Sequence, residues 1–134
     1  EQGKSAISIY RTLEQYAQHA LIEVELKTGR THQIRVHLSH VGHPLLGDDL
    51  YGGKRCVPSE LGPGPDDLDL SLPVVDRQAL HATSLSIHHP ISEKPMNFTA
   101  TPPQDLHQAV TRLRRGGCKV LTPAGAELSS ALFA

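Results

Sequence analysis

The chain has no tryptophan, one methionine, two cysteines, three tyrosines and two phenylalanines in 134 residues. Its core must therefore be built from aliphatic side chains, and a hydrophobic fraction of 38% suits a small soluble domain. A chain of this length makes one domain and buries roughly two-thirds of its unfolded surface. Cys56 and Cys118 have no metal-type spacing and sit in Gly/Pro-rich surroundings, which excludes a disulfide framework and fits a reducing compartment. The expectation is an intracellular protein, of the cytoplasm or of an organelle. No apolar run approaches the roughly 20 residues of a membrane span, and no signal-peptide pattern is seen. The net charge of −1 shows no bulk basicity, so any anion site must be a local patch. There is no G-x-S-x-G elbow, no base arrangement beside either cysteine, and no internal repeat. The chain opens at Glu1 rather than Met, in what reads as the lead-in to a strand, and we expect a fragment or a processed chain.

What the chain does have is concentrated in residues 28–53, TGRTHQIRVHLSHVGHPLLGDDLYGG. Arg30, His32, Arg35, His37, His40 and His43 gather around one short predicted helix. So many cationic and polar side chains are costly to bury and are better explained by a charged partner than by packing.

Around this stretch the pattern is mixed. Residues 5–13 and 20–26 alternate apolar and polar positions and predict two strands of an antiparallel hairpin. Thr31 can N-cap a helix through about 42, with Ile34, Leu38 and Val41 as its buried face and Gly42 as its stop. Arg35 borders that stripe, where a long cation can reach into a cleft. Residues 57–76 hold four prolines and five acidic residues with no Lys or Arg, and read as a loop, mobile at least in part. Residues 79–88 and 94–101 predict two more strands joined by a Pro-bearing turn. A helix over 103–115 follows, with Leu106, Val110 and Leu113 on one face and Arg112, Arg114 and Arg115 in its last turn. The tail after Lys119 has no clear period and is expected to fray. The expected fold is α+β, a mixed and mainly antiparallel sheet with inserted helices.

Several constellations compete for chemistry. His37, His40 and His43 recur every three residues, with His32 five before His37, but no cysteine or carboxylate completes a zinc set. Hydrogen-bonded polar histidines are the plainer reading. Gly29, Arg30 and Thr31 at a helix start can offer N–H groups and a cation to a phosphate. Asp48 and Asp49 follow Gly47 and read as turn formers capping local backbone rather than as catalysts. Arg112, Arg114, Arg115 and Lys119 suit RNA phosphates and a helix dipole equally well.

The 28–53 stretch resembles the C-terminal signature of the RluA-type pseudouridine synthases nearly residue for residue. GKSAISIY at 3–10 resembles the strand that precedes that signature. RQALHATSLSIHHPISEKPMNFTATPP at 77–103 resembles the segment that closes the catalytic sheet. The resemblance implies that residues 1–106 are the C-terminal half of a pseudouridine synthase catalytic domain, with 57–76 a loop within it and 107–134 a helix and tail. It implies an isomerase of uridine in structured RNA, ribosomal or transfer, that needs no cofactor and no metal and has no membrane role. The target base is flipped from its stack, and an Asp carboxylate acts as nucleophile, at the base or at the ribose. By the same resemblance, Arg35 ion-pairs with that Asp, Leu80 packs near the base, and Arg30 contacts substrate.

The family's nucleophile lies in an Arg-Leu-Asp motif, which this chain lacks, as it lacks the Tyr motif that follows; Tyr10 and Tyr16 stand in a different context. The 134 residues alone are therefore expected to be inactive. They are also expected to expose an apolar face that favours a homodimer or pairing with the missing half. Arg35, without its carboxylate, should be solvated, bind an anion or pair with a neighbouring acid. Two alternatives stand beside this reading. One is a non-catalytic RNA-binding or protein-interaction module derived from the fold, and the other is a metal-dependent hydrolase built on the histidines.

Overall fold

The computed structural model describes residues 3–55, 61, 72–120 and 132–133. Strand β1 (Ser8–Gln15) pairs antiparallel with β2 (Ala20–Leu26), as their alternation predicts. The turn between them is closed by Tyr16 N–H donating to the His19 carbonyl at 2.8 Å. The register shifts between Thr12 and Glu14. Such a bulge breaks the two-residue alternation, so the consecutive Leu13 and Glu14 are both buried. The short strand β5 (Lys119–Val120) pairs with β1 at Glu14 and Gln15, completing the order β2-β1-β5.

Helix α1 (Gln33–His40) follows the hairpin, and a single 3-10 turn spans Asp49–Tyr51. Strands β3 (Ser84–His88) and β4 (Pro95–Thr99) form a second, separate antiparallel ribbon, and α2 (Gln104–Arg115) follows. The architecture is α+β, but the described strands form two small sheets instead of one. Leu85 pairs with Phe98 and Ile87 with Met96, so four apolar side chains share one face of the ribbon. Leu85, Ile87 and Phe98 are exposed. A two-stranded ribbon with a bare apolar face is marginal in water by itself.

The core sits elsewhere. Leu61, Val75 and Ala109 are buried together, with Leu46, Val74, Ala79, Leu106 and Leu113 packed around them. Leu61 and Val75 come from the stretch expected to be only a loop; residues 57–60 and 62–71 of that stretch lie outside the described residues. Most of the tail also lies outside them. Its described parts are held rather than frayed: β5 joins the sheet, and Phe133 is buried against His107, ring centroids 5.2 Å apart. Among the described residues no helix is long and apolar enough to cross a membrane.

An ionic cluster ties α2 to the sheet. Arg114 Nε donates to both Glu14 oxygens at 3.1 and 3.2 Å, and its Nη1 donates to the Phe133 carbonyl at 2.6 Å. The Tyr16 hydroxyl donates to the same Glu14 carboxylate. Arg114 is thus engaged inside the fold rather than offered to RNA. Burial, reinforced by the hydrogen bond to Glu14 and its negative charge, raises the Tyr16 phenol above its ordinary range. A raised folded value means the contribution is intact below about pH 10 and is lost as pH rises further, at about 1.4 kcal/mol per unit, because only the unfolded phenol ionises. Tyr16→Phe should remove this dependence. In thermal or urea unfolding between pH 8 and 11, the stability advantage of the native chain over the variant should shrink above about pH 10. A constant gap would contradict the assignment.

Candidate active site

The approach to α1 is set by Gln33, the one buried residue of that helix. Its Oε1 accepts from the Thr28 hydroxyl at 2.7 Å and the Arg30 N–H at 3.0 Å. Its Nε2 donates to the Ile7 carbonyl at 3.0 Å and the Ser8 hydroxyl at 2.9 Å. This amide fixes the helix to the hairpin through polar contacts. It takes the anchoring role expected of Ile34, Leu38 and Val41, of which the first two are half-buried and Val41 is exposed. Nor is Thr31 the N-cap. That position is His32, in the left-handed region at φ 50°, with no side-chain cap bond. Gly42, at φ 85°, stands just after the helix as its sequence position suggests.

Arg35 lies one turn into α1, its side chain 14% exposed. It meets Asp48 in a side-on pair, Nε to Oδ2 at 2.9 Å and Nη2 to Oδ1 at 2.7 Å. Of the three fates open to this arginine, the structure realises the neighbouring acid. Asp48 is 1% exposed, so the expectation that it merely caps local backbone is too narrow. It does sit in a turn, where the Tyr51 N–H donates to its backbone carbonyl at 3.2 Å, but the partner of its carboxylate comes from α1. The hydrogen bonds from Arg35 hold the Asp48 carboxyl below the ordinary carboxylate range against the opposing cost of burial. The pair in turn raises Arg35.

Tyr51 completes the setting. Its ring lies 4.9 Å from the Arg35 guanidinium carbon, within cation–π range. Its hydroxyl bonds His32 Nδ1 at 2.8 Å, and its carbonyl accepts from the Ser39 hydroxyl at 2.7 Å. Sequence reasoning passed over Asp48, Tyr51 and Gln33 as functional neighbours of Arg35. The available signal was the pair of glycines, Gly47 and Gly53, bracketing an Asp and a Tyr.

Two glycines let this loop close. A Cβ on Gly47 would stand 2.1 Å from the Arg77 carbonyl oxygen, and one on Gly53 would stand 1.9 Å from that of Leu45. The first approach brings residues 77–80 alongside the loop, where Ala79 N–H donates to the Leu46 carbonyl at 2.8 Å. Leu80 follows directly, half-buried, its carbonyl facing Arg77 Nη1 at 3.4 Å.

Arg30 is exposed beside an open groove of about 530 Å³ whose lining includes Lys4, Ala6, Arg30, Gln33, Val36 and His37. Its own N–H is taken by Gln33, so the helix start does not offer that donor to a phosphate. The histidines are dispersed. His32 bonds Tyr51, His37 Nδ1 meets the Ser8 hydroxyl at 2.8 Å, and His81 Nε2 donates to the Ala100 carbonyl at 3.2 Å. Among the described residues no three His, Cys, Asp or Glu side chains converge as metal ligands would.

The RNA pseudouridylate synthase family profile matches residues 1–40, a span that includes Arg30, Gln33 and Arg35. The chain is similar to "Ribosomal large subunit pseudouridine synthase D" of Vibrio vulnificus, at 43% identity over 113 residues, covering 84% of this chain and 34% of the relative. The protein of the same name from Yersinia pestis is 44% identical over 112 residues, and that from Escherichia coli K12 is 44% identical over 113. These cover 84% of this chain and 34% and 33% of the respective relatives. The chain thus spans about a third of the length of the curated relatives it matches. By these matches, the chain belongs to the RluA-type RNA pseudouridine synthase family.

Proposed function

We propose that this chain is the C-terminal part of the catalytic domain of an RNA pseudouridine synthase that isomerises uridine in structured RNA. Residues 1–106 form the half domain in this reading, and 107–134 a C-terminal helix and tail. The observation that carries the reading is the 43–44% identity over 84% of the chain to ribosomal large subunit pseudouridine synthases. Their name favours ribosomal RNA over transfer RNA as substrate.

Arg35 is the pocket arginine that pairs with a nucleophilic Asp supplied by another part of the protein. Its two bonds to Asp48 use Nε and Nη2, and a guanidinium carries five N–H donors, so the Nη1 side can serve a second carboxylate. The nucleophile detaches the base, the base rotates, and it is rejoined through its C5 carbon as the C5 proton leaves. Arg30 and Lys4 line the groove that contacts RNA, and Leu80 packs near the flipped base. No cofactor or metal takes part. The bare face of the β3–β4 ribbon is where the remainder of the domain, or a second copy, packs. The setting is intracellular.

The test compares the natural polypeptide that carries this sequence with the 134-residue chain alone, using ribosomal RNA transcripts tritiated at uridine C5. The longer polypeptide should release tritium, and the chain alone should release none. Conversion by the isolated chain would refute the half-domain reading. RNA binding without conversion by the longer polypeptide would favour the non-catalytic module instead.

A further inference from the structure

We infer that Asp48 is a positioning residue for Arg35, holding one edge of the guanidinium so that the opposite edge is aimed at the reacting carboxylate. This rests on the role proposed above for Arg35. An arginine has four side-chain torsions and reaches a defined place only when its neighbours remove that freedom. Here two restraints act together. Asp48 fixes the Nε–Nη2 edge through two bonds of 2.9 and 2.7 Å, and the Tyr51 ring packs against the guanidinium carbon at 4.9 Å. What is left for a ligand is the far edge at Nη1.

The restraints are themselves held. Asp48 is almost wholly buried, and its backbone is closed into the turn by Asp48 N–H to Leu45 O at 3.1 Å and Gly53 N–H to Asp48 O at 2.8 Å. Tyr51 is tied at its hydroxyl by His32 and at its carbonyl by Ser39, both borne on or next to α1, the helix that carries Arg35. The chain therefore folds back after α1 to bring Asp48, 13 residues on from Arg35, against the same helix and orient one side chain. An Asp serving only to make a turn would have no need to reach α1. Asp49, the next residue, is exposed and pairs with Arg55 at 3.0 Å on the surface, so the sequence distinguishes two adjacent acids of different roles.

The experiment uses the natural polypeptide that carries this sequence, with variants shown to be folded by circular dichroism. Asp48→Asn should lower kcat by about 10- to 100-fold with KM for RNA little changed, because orientation rather than RNA affinity is lost. Arg35→Lys keeps both the charge and Asp48 but cannot make the side-on pair, and should lose kcat by about 100-fold. The discriminating arm is chemical rescue. Methylguanidinium should restore Arg35→Ala by at least about 10-fold, because Asp48 and Tyr51 leave a preformed slot, and should fail to restore Arg35→Ala/Asp48→Ala. Equal rescue in both backgrounds, or an Asp48→Asn enzyme with wild-type kcat beside an impaired Arg35→Lys, overturns the role of Asp48 alone. Wild-type activity in Arg35→Ala overturns the reading of Arg35 and the role of Asp48 with it. If no Asp48 variant folds, rescue of Arg35→Ala with Asp48 in place still decides: no restoration by methylguanidinium overturns the preformed slot.

Discussion

Gly47→Ala is expected to destabilise the chain by about 3 kcal/mol or more, among the largest losses any single methyl can cause here. Two independent costs add at this position. Gly47 has φ 75°, in the left-handed region, where an L side chain costs about 1 kcal/mol. Its Cβ would also fall 2.1 Å from the Arg77 carbonyl oxygen and 3.4 Å from that of Val75. These are backbone atoms of a segment anchored by Ala79 N–H to the Leu46 carbonyl and by the burial of Val75, so they cannot swing aside as a flexible side chain would. Two neighbours separate the costs. Gly52 has φ 87° with nothing within 4 Å of its Cβ, so Gly52→Ala should cost only about 1 kcal/mol. Gly53 has no positive φ, but its Cβ would lie 1.9 Å from the Leu45 carbonyl oxygen and 2.8 Å from the Asp48 nitrogen. Gly53→Ala should cost more than Gly52→Ala and should also disturb the Arg35–Asp48 pair. Urea unfolding of the three variants checks the order, and equal losses at Gly47 and Gly52 would show that the close approach carries no weight.

These glycines also mark how far sequence reasoning reaches. The β1–β2 hairpin, the β3–β4 pair and both helices are legible because they are local: alternation, a stop glycine and a Pro-Pro start are all within a few residues. The burial of Glu14 is not legible, because it depends on a bulge and on Arg114, 100 residues away in sequence. Leu61 and Val75 were hidden by their setting of prolines and acids, which describes the stretch as a whole and not the two side chains that turn inward. Arg35 could be singled out as a cation placed at the edge of an apolar stripe. Its partner could not, since an Asp after Gly is ordinary turn chemistry until the segment after α1 folds it back onto the helix, 13 residues on from Arg35. The hydrophobic period of the helix points to an apolar anchor, yet a polar amide does the anchoring.

That amide supports the second large prediction. Gln33→Leu keeps the side-chain volume and the burial, and by hydrophobicity alone it should be neutral or favourable. It is expected instead to destabilise the chain by about 2–4 kcal/mol, because it removes four hydrogen bonds at once, although the Ile7 carbonyl keeps the Lys27 N–H, the Ser8 hydroxyl keeps His37 and the Thr28 hydroxyl keeps the Ile7 N–H. The Ile7 carbonyl, the Ser8 hydroxyl, the Thr28 hydroxyl and the Arg30 N–H each lose the partner that Gln33 provides. Partial access to water at Thr28 and Arg30 keeps the total below the sum of four fully buried losses. Gln33→Glu gives a signature that simple loss of packing cannot. A carboxylate in the place of Nε2 would face the Ile7 carbonyl acceptor to acceptor, so the charged form is disfavoured in the fold and its pKa is raised. Stability is then retained while the group is protonated and lost as pH rises through the raised value. Relative to the native chain, Gln33→Glu should therefore be less destabilised near pH 4 than at pH 7, whereas Gln33→Leu should show no such trend. The effect should extend to the site, because Arg35 stands two residues further along α1 and a helix left on the hairpin chiefly by His37 and Ser8 can rotate. If Gln33→Leu unfolds at the same urea concentration as the native chain, the hairpin must hold α1 by other means, and the polar anchor is not what sets the direction of Arg35.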